Sequence, residues 1–264
     1  MTFFPIYLAL GAVAGLLAGL LGIGGGLVLV AALAWLLPWQ GVSPEAAMHA
    51  ALASSLASIV LTAAASARAH HRRGSVLWPT VAWLAPGMML GGWLGSRLAI
   101  ALSGDVLRWG VAGYCVVVAL ELLRPRPATA AHATEAPRGV GYSLAGVGIG
   151  AVSAIVGIGG GSLTVPLLIW RGVTPVRAVG TSSACGVFIG LASAAGYAMQ
   201  APAGALPLPG AVGYVYLPAA IGVALTSILA APYGTRLAHA LSADALRRVF
   251  AGFLLLVAAG FVWR

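Results

Sequence analysis

The stretch Gly22-Ile23-Gly24-Gly25-Gly26 decides the fold of this chain, because it recurs 135 residues later as Gly157-Ile158-Gly159-Gly160-Gly161. Both stretches lie within long apolar sequence. Three adjacent glycines form helix poorly, so we expect each stretch to interrupt a helix. In membrane hydrocarbon an interrupted helix leaves N–H and C=O groups unpaired, which is tolerated only inside protein or beside a water-filled cavity. Matched interruptions in two halves of one chain indicate a transporter binding site.

The composition predicts a polytopic membrane protein. Hydrophobic residues make up 61% of the 264 residues and charged residues only 7%, against about 25% charged residues in soluble domains. The net charge of +9 comes from 14 arginines and no lysine. These arginines are scattered in short loops, which indicates orientation in the membrane and contact with anionic lipid headgroups rather than nucleic-acid binding.

Sequence motifs repeat in the same order in the two halves. Gly95-Ser96-Arg97-Leu98-Ala99 recurs as Gly234-Thr235-Arg236-Leu237-Ala238, and Leu102-Ser103-Gly104-Asp105 recurs as Leu241-Ser242-Ala243-Asp244. We therefore predict a duplication. The predicted units are a first transmembrane repeat (1–123), a cytoplasmic linker (124–140) and a second transmembrane repeat (141–264). The apolar blocks are 5–37, 45–67, 76–100 and 106–123, then 140–170, 177–198, 211–235 and 245–262.

The first block of each half is too long for one span. Thirty-three helical residues would measure about 50 Å, against a hydrocarbon core of about 30 Å. The first inter-block loop lacks arginine in the first half, whereas Arg171 and Arg177 flank it in the second. Because positive loops face the cytoplasm, the halves are predicted to be inverted. The predicted fold is an all-α polytopic membrane protein with two inverted repeats. Each repeat has a glycine-tipped broken or re-entrant helix hairpin plus three transmembrane helices.

The candidate binding site follows from the helices that restart after the glycines. A helix N-terminus offers free N–H groups and the positive end of the helix dipole, which together bind anions. Ser162 and Thr164 would add hydroxyl donors after the second stretch. The alternatives are that the glycines only allow close packing and that the hydroxyls bond their own backbone. The candidate substrate-binding residues are Gly22, Gly24, Gly25, Gly26, Ser54, Ser55, Gly157, Gly159, Gly160, Gly161, Ser162, Thr181, Ser182 and Ser183.

The sequence shows no catalytic motif. Neither H-E-x-x-H nor G-x-S-x-G is present, and no group of residues has metal-ligand spacing. We therefore predict no catalytic residues, no metal site and no cofactor. Apart from Glu45, the first residue of its block, Glu121 is the only carboxylate within an apolar block, and it lies three residues before Arg124. Two interpretations of Glu121 remain: a local ion pair with Arg124, or a role in proton coupling.

The two phrases GLLAGLLGIGGGLVLV and SAIVGIGGGSLTVPLL resemble the TauE/SafE family, also called the TSUP or sulfite-exporter family. The stretch Ala178-Val179-Gly180-Thr181-Ser182 resembles a further signature of this family. The resemblance implies transport of small sulfur-containing anions, such as sulfite or organosulfonates, across the bacterial cytoplasmic membrane. His49 stands where the second half has Gly180, and we add it to the candidate residues as a substitute hydrogen-bond donor.

The predicted function is a secondary transporter, and the resemblance implies export. A small anion would bind at the paired helix N-termini near the midplane, and transport would proceed by alternating access. The partners are this small anionic substrate and the lipid bilayer, with no nucleic acid. The alternatives are an anion channel and a non-transporting membrane assembly subunit.

Overall fold

The computed structural model describes residues 3–21, 25–124, 136–240 and 243–263, and nearly all of them are helical. A one-turn 3-10 helix, Leu37–Gln40, leads to the sharp turn at Gly41. The ten α-helices are α1 Phe4–Leu21, α2 Gly26–Leu36, α3 Pro44–Arg72, α4 Trp78–Ala101, α5 Gly104–Leu123, α6 Val140–Val156, α7 Gly161–Trp170, α8 Pro175–Met199, α9 Leu217–Ala240 and α10 Ala243–Val262.

The glycine stretches interrupt helices as predicted. Gly157 ends α6 with φ of 77°, and Gly160 precedes α7 with φ of 74°. Both values lie in the left-handed region that glycine enters at little cost. In the first half, α1 ends at Leu21 and α2 begins at Gly26. Gly22 and Gly24 lie outside the described residues. We call the described residues Gly25 and Gly26, between α1 and the body of α2, the first glycine turn, and residues 157–161 the second glycine turn.

The chain folds back at each glycine turn. A Cβ placed on Gly160 would lie 3.3 Å from both Ile149 Cγ2 and Ser153 Oγ of α6, and one placed on Gly25 would lie 2.6 Å from Ala14 O of α1. A continuous helix would separate residues 14 and 25 by about 16 Å. Beyond the turns the helices diverge, because α2 packs against α3 and α7 packs against α8.

The apolar blocks agree with the helices except at one boundary. Among the described residues, α3, α5 and α8 are each long and apolar enough to cross a membrane. The block predicted over 211–235 begins instead with an antiparallel hairpin of β1 (Ala211–Val212) and β2 (Val215–Tyr216), and α9 follows it. Gly213 makes this hairpin possible, since its φ is 56° and it packs on the backbone of Tyr197 and Ala198. The prediction of helix over 211–216 is therefore wrong.

Matching positions of the two halves make matching contacts. The first helix of each half packs on the fourth helix of the other, so α1 lies against α9 and α6 lies against α4. A Cβ on Gly11 would lie 2.3 Å from Val223 O, and a Cβ on Gly146 would lie 2.6 Å from Leu84 O. Glycine allows each pair of backbones to approach this closely. One helix of each half is thus embedded in the other half.

The helices α3 and α8 form the centre of the molecule and pack against each other. A Cβ on Gly190 would lie 3.0 Å from Leu56 O, and one on Gly186 would lie 3.2 Å from Gly159 O. Leu52 and Leu56 of α3 are fully buried. Helix α8 of this central pair therefore contacts the second glycine turn directly.

Candidate functional site

The two glycine turns meet inside the molecule. A Cβ placed on Gly26 would lie 2.8 Å from Gly157 O and 3.3 Å from Ile158 Cα. Gly26, Gly157 and Ile158 are all buried. Two stretches separated by more than 130 residues thus touch through main chain, and this contact leaves no space for a side chain at position 26.

Ser55 of α3 joins the two turns. Its hydroxyl is fully buried and faces two carbonyl oxygens, Gly157 O at 2.9 Å and Gly26 O at 3.2 Å. A hydroxyl has one proton, so it shares its hydrogen bond between the two acceptors. The structure therefore places this candidate residue at the contact between the turns, where its hydroxyl donates to the protein itself.

The N-terminus of α7 presents free backbone donors. Gly160 O accepts the N–H groups of Leu163 (3.1 Å) and Thr164 (2.8 Å). The N–H groups of Gly159, Gly160, Gly161 and Ser162 have no acceptor within the described ranges. Gly160, the N-cap residue, has no side chain that could satisfy them. These donors and the positive end of the helix dipole create a favourable environment for an anion.

Hydroxyl groups surround this N-terminus. Ser153 Oγ and Thr164 Oγ1 are fully buried, and neither has a hydrogen-bond partner among the described residues. Ser153 Oγ lies beside Gly160, as the Cβ distance above shows. Ser162 Oγ forms a hydrogen bond with Tyr114 OH of α5. The sequence-based prediction omitted both residues: Ser153 lies only four residues before Gly157, whereas Tyr114 lies in another apolar helix, far from the glycines along the chain.

The N-terminus of α2 has fewer side-chain donors. Leu29 N donates to Gly25 O at 3.1 Å, while the N–H groups of Gly26, Leu27 and Val28 have no acceptor in the described part of the chain. The positions that follow, Leu27 to Leu36, carry apolar side chains only. The two turns are therefore unequal, and hydroxyl chemistry is concentrated at the second.

Two candidate hydroxyls lie away from the turns and bind the backbone of the opposite half. Thr181 Oγ1 of α8 accepts a hydrogen bond from Leu77 N at 3.0 Å, and Ser54 Oγ of α3 accepts one from Tyr216 N at 2.9 Å. Leu77 and Tyr216 immediately precede α4 and α9. Each central helix thus fixes the start of a helix from the other half.

The remaining candidates lie along the two central helices. Ser183 Oγ bonds Val179 O and Ser66 Oγ, each at 3.0 Å, which links α8 to α3. Ser182 is buried, with 4% of its surface exposed. His49 has both ring nitrogens within hydrogen-bond distance of main-chain carbonyl oxygens. In this conformation the His49 ring is engaged by the protein on both edges.

Two cavities lie beside the central helices, and none of the described residues of the glycine turns lines either. One, of about 400 Å³, is an apolar groove between α3, α8, α9 and the hairpin. The other, of about 310 Å³, lies against residues 198–213. In this conformation, the main chain of the second turn packs directly against Gly26.

Among the described residues, no group of three or more His, Cys, Asp or Glu side chains could hold a metal ion. The carboxylate Glu121 pairs with Arg124 at 2.9 Å on the protein surface. The arrangement offers hydroxyl and amide donors without a charged side chain. Such a set suits reversible binding of a small oxyanion.

Known proteins resemble this chain over almost its whole length. The family model described as sulfite exporter TauE/SafE matches residues 7–261. A protein of Haemophilus influenzae named "Probable membrane transporter protein" is 35% identical over 261 residues, covering 97% of each chain. A protein of Xylella fastidiosa with the same name is 31% identical over 260 residues, covering 96% of this chain and 93% of its own. No solved structure matches. The chain belongs to the TauE/SafE sulfite exporter family and is an integral membrane transporter, not an enzyme.

Proposed function

We propose that this protein is a secondary transporter of small sulfur-containing anions, such as sulfite or organosulfonates. The anion binds at the second glycine turn, where it accepts hydrogen bonds from the N-terminus of α7. The family name supports the substrate class. The observation that carries the site is the pair of buried, unpartnered hydroxyls, Ser153 and Thr164, at this helix N-terminus. Buried polar groups are normally paired, and two unpaired hydroxyls beside the free N–H groups of one helix N-terminus would offer an anion several donors at one place.

Uncharged hydrogen-bond donors suit a transporter, which must release its anion, better than a site that holds the anion permanently. A charge-assisted hydrogen bond contributes about 1.5–3 kcal/mol, and the helix dipole adds about 0.3–1 kcal/mol at an exposed terminus. A few such contacts hold an oxyanion firmly. With no arginine among them, the anion is not trapped by a buried ion pair, and release remains possible.

The repeat arrangement supports alternating access. We propose that 1–123 and 141–264 form two inverted repeats joined by a cytoplasmic linker, in the bacterial cytoplasmic membrane. The arginine distribution supports inversion, and the exchanged packing of α1 on α9 and α6 on α4 supports an internal two-fold relation. Movement of one repeat relative to the other would open the turns to each side in turn. Export is the direction that the family name supports.

The experiment is uptake of radiolabelled sulfite by proteoliposomes containing wild-type protein, Ser153→Ala or Ser193→Ala. Ser193 is the matched control, because its hydroxyl is also fully buried and unpartnered among the described residues but faces Gly92 of α4 instead of a glycine turn. Loss of one hydrogen bond to the anion should lower affinity at least about tenfold in Ser153→Ala. Ser193→Ala should transport as wild type does.

Three outcomes would contradict the proposal. Equal sulfite affinity in wild type and Ser153→Ala would show that the anion does not bind at the second glycine turn. Unitary current steps in planar bilayers would indicate a channel. Wild-type vesicles that take up no sulfite and no organosulfonate would exclude this substrate class.

A further inference from the structure

His49 occupies a buried position surrounded by carbonyl oxygens. The residue lies in the second turn of α3, with 4% of its surface exposed. Its Nδ1 is 3.0 Å from Glu45 O, one helical turn earlier. Its Nε2 is 3.1 Å from Ala99 O and 3.1 Å from Leu102 O, at the C-terminal end of α4. Every polar contact of the ring is therefore with an oxygen that can only accept a hydrogen bond.

This geometry matches one protonation state of the ring. Neutral imidazole has one N–H and one nitrogen lone pair, whereas imidazolium has two N–H groups. In either neutral tautomer, a lone pair would face a carbonyl oxygen at 3.0–3.1 Å. The imidazolium instead donates from both edges. The C-terminus of α4 also carries the negative end of the helix dipole, which favours a cation there.

The groups around His49 on the described elements are one tyrosine and several charged side chains. The ring stacks on Tyr214, with centroids 4.9 Å apart. Burial and the Glu45 carboxylate raise the pKa of the Tyr214 hydroxyl, so Tyr214 stays neutral. Along the chain, the charged residues nearest to His49 and to the carbonyl groups that it contacts are Glu45 on α3, Arg97 on α4, and Asp105 and Arg108 on α5. Asp105 and Arg108 pair with each other at 3.2 Å.

We propose that His49 is a proton-binding site, occupied in this conformation, whose imidazolium joins α3 to the C-terminus of α4. Loss of the proton replaces one hydrogen bond with a repulsive contact and frees the two helices to separate. The residue at the matching position of α8 is Gly180, so the second half has no side chain there. The proton site belongs to one half of the molecule.

The charge on His49 also affects the affinity for the anion. This part of the proposal rests on the proposed function. Ser55, at the contact between the glycine turns, lies six residues along α3 from His49, a rise of about 9 Å. Across about 10–15 Å in an effective dielectric of about 20, a cation changes anion affinity by about tenfold. Binding linkage is reciprocal, so the anion strengthens proton binding by the same factor. Proton and anion would therefore bind together.

The test is nitrogen NMR of protein labelled at the histidine rings, in lipid nanodiscs at neutral pH. The His49 signals are those absent from His49→Gln. If that variant does not fold, they are assigned by replacing the other four histidines with glutamine. His71 is the internal control, because its Nδ1 accepts a hydrogen bond from Trp78 Nε1 at 3.0 Å and must carry a lone pair. We expect two protonated nitrogens for His49 and one for His71. A single protonated nitrogen at His49 would overturn the proposal.

The coupling is tested with methanesulfonate, whose own charge does not change near neutral pH. Its affinity is measured on either side of the pH at which NMR shows His49 losing its second proton. Wild-type affinity should fall about tenfold as that proton is lost, while His49→Gln should show no change. Equal wild-type affinities would overturn the coupling. If wild type binds neither methanesulfonate nor sulfite, the proposed function is contradicted, and the NMR result still decides the proton site.

Discussion

Replacing Ser55 with alanine removes the hydroxyl that bridges the two glycine turns. The hydroxyl donates to carbonyl oxygens of both halves, at 2.9 and 3.2 Å, in a fully buried position. A lost hydrogen bond costs about 1 kcal/mol, and a buried acceptor left unpaired costs about 1–3 kcal/mol. Measured values inside membrane proteins are lower, averaging about 0.6 kcal/mol. We expect Ser55→Ala to lower the free energy of unfolding by about 1–2 kcal/mol.

Ser58 provides a control on the same helix. It is as deeply buried as Ser55, but its hydroxyl donates to Ser55 O at 2.7 Å, a carbonyl of its own helix. That oxygen keeps its α-helical partner when the hydroxyl is removed, so it is not left unpaired. Ser58→Ala should therefore change the free energy of unfolding by less than about 0.5 kcal/mol.

The assay is equilibrium unfolding in mixed micelles, titrated with a denaturing detergent and followed by tryptophan fluorescence. Both variants and the double variant are compared with wild type. The reasoning fails if Ser55→Ala is no more destabilising than Ser58→Ala. It also fails if Ser55→Ala destabilises the protein without reducing sulfite transport, because the bridge would then stabilise the fold without positioning the site.

Three further substitutions test the packing. Gly160→Ala forces alanine into the left-handed conformation, which costs about 1–2 kcal/mol, and places its Cβ 2.5 Å from a side chain of α8. The unfolding titration should show this loss of stability. The control Gly148→Ala, in open space within α6, should be neutral or slightly stabilising. Gly91→Ala places its Cβ 2.0 Å from a carbonyl oxygen of α6. We expect the free energy of unfolding to fall by about 3 kcal/mol or more in the same titration. Unchanged stability would refute the close packing. Thr181→Val leaves Leu77 N without its acceptor and should cost about 1–3 kcal/mol; hydrogen exchange at the Leu77 amide should accelerate, and unchanged protection would contradict this contact.

Sequence reasoning predicted the membrane class and the helix interruptions, which depend on composition and local physics. The membrane class follows from composition, and the helix interruption at Gly157–Gly160 follows from the cost of glycine in a helix. The duplication, which the repeated motifs indicate, stays a prediction. The prediction was weakest at residues 211–216, where a hairpin replaces the start of a helix. Apolar β-branched and aromatic residues suit either structure, and contact with α3 and α8 decided between them.

Only the tertiary structure decided which side chains meet the glycine turns. The helices are apolar on all sides, so hydrophobic periodicity does not indicate an inward face. Ser54 and Ser55 are adjacent in sequence, yet one fixes the start of α9 and the other bridges the turns. Ser153 lies one helical turn before the second glycine turn, whereas Tyr114 reaches it from a helix that no sequence pattern connects to it. Their positions depend on how α1, α4, α6 and α9 exchange between the halves, and close backbone packing at small residues decides that exchange.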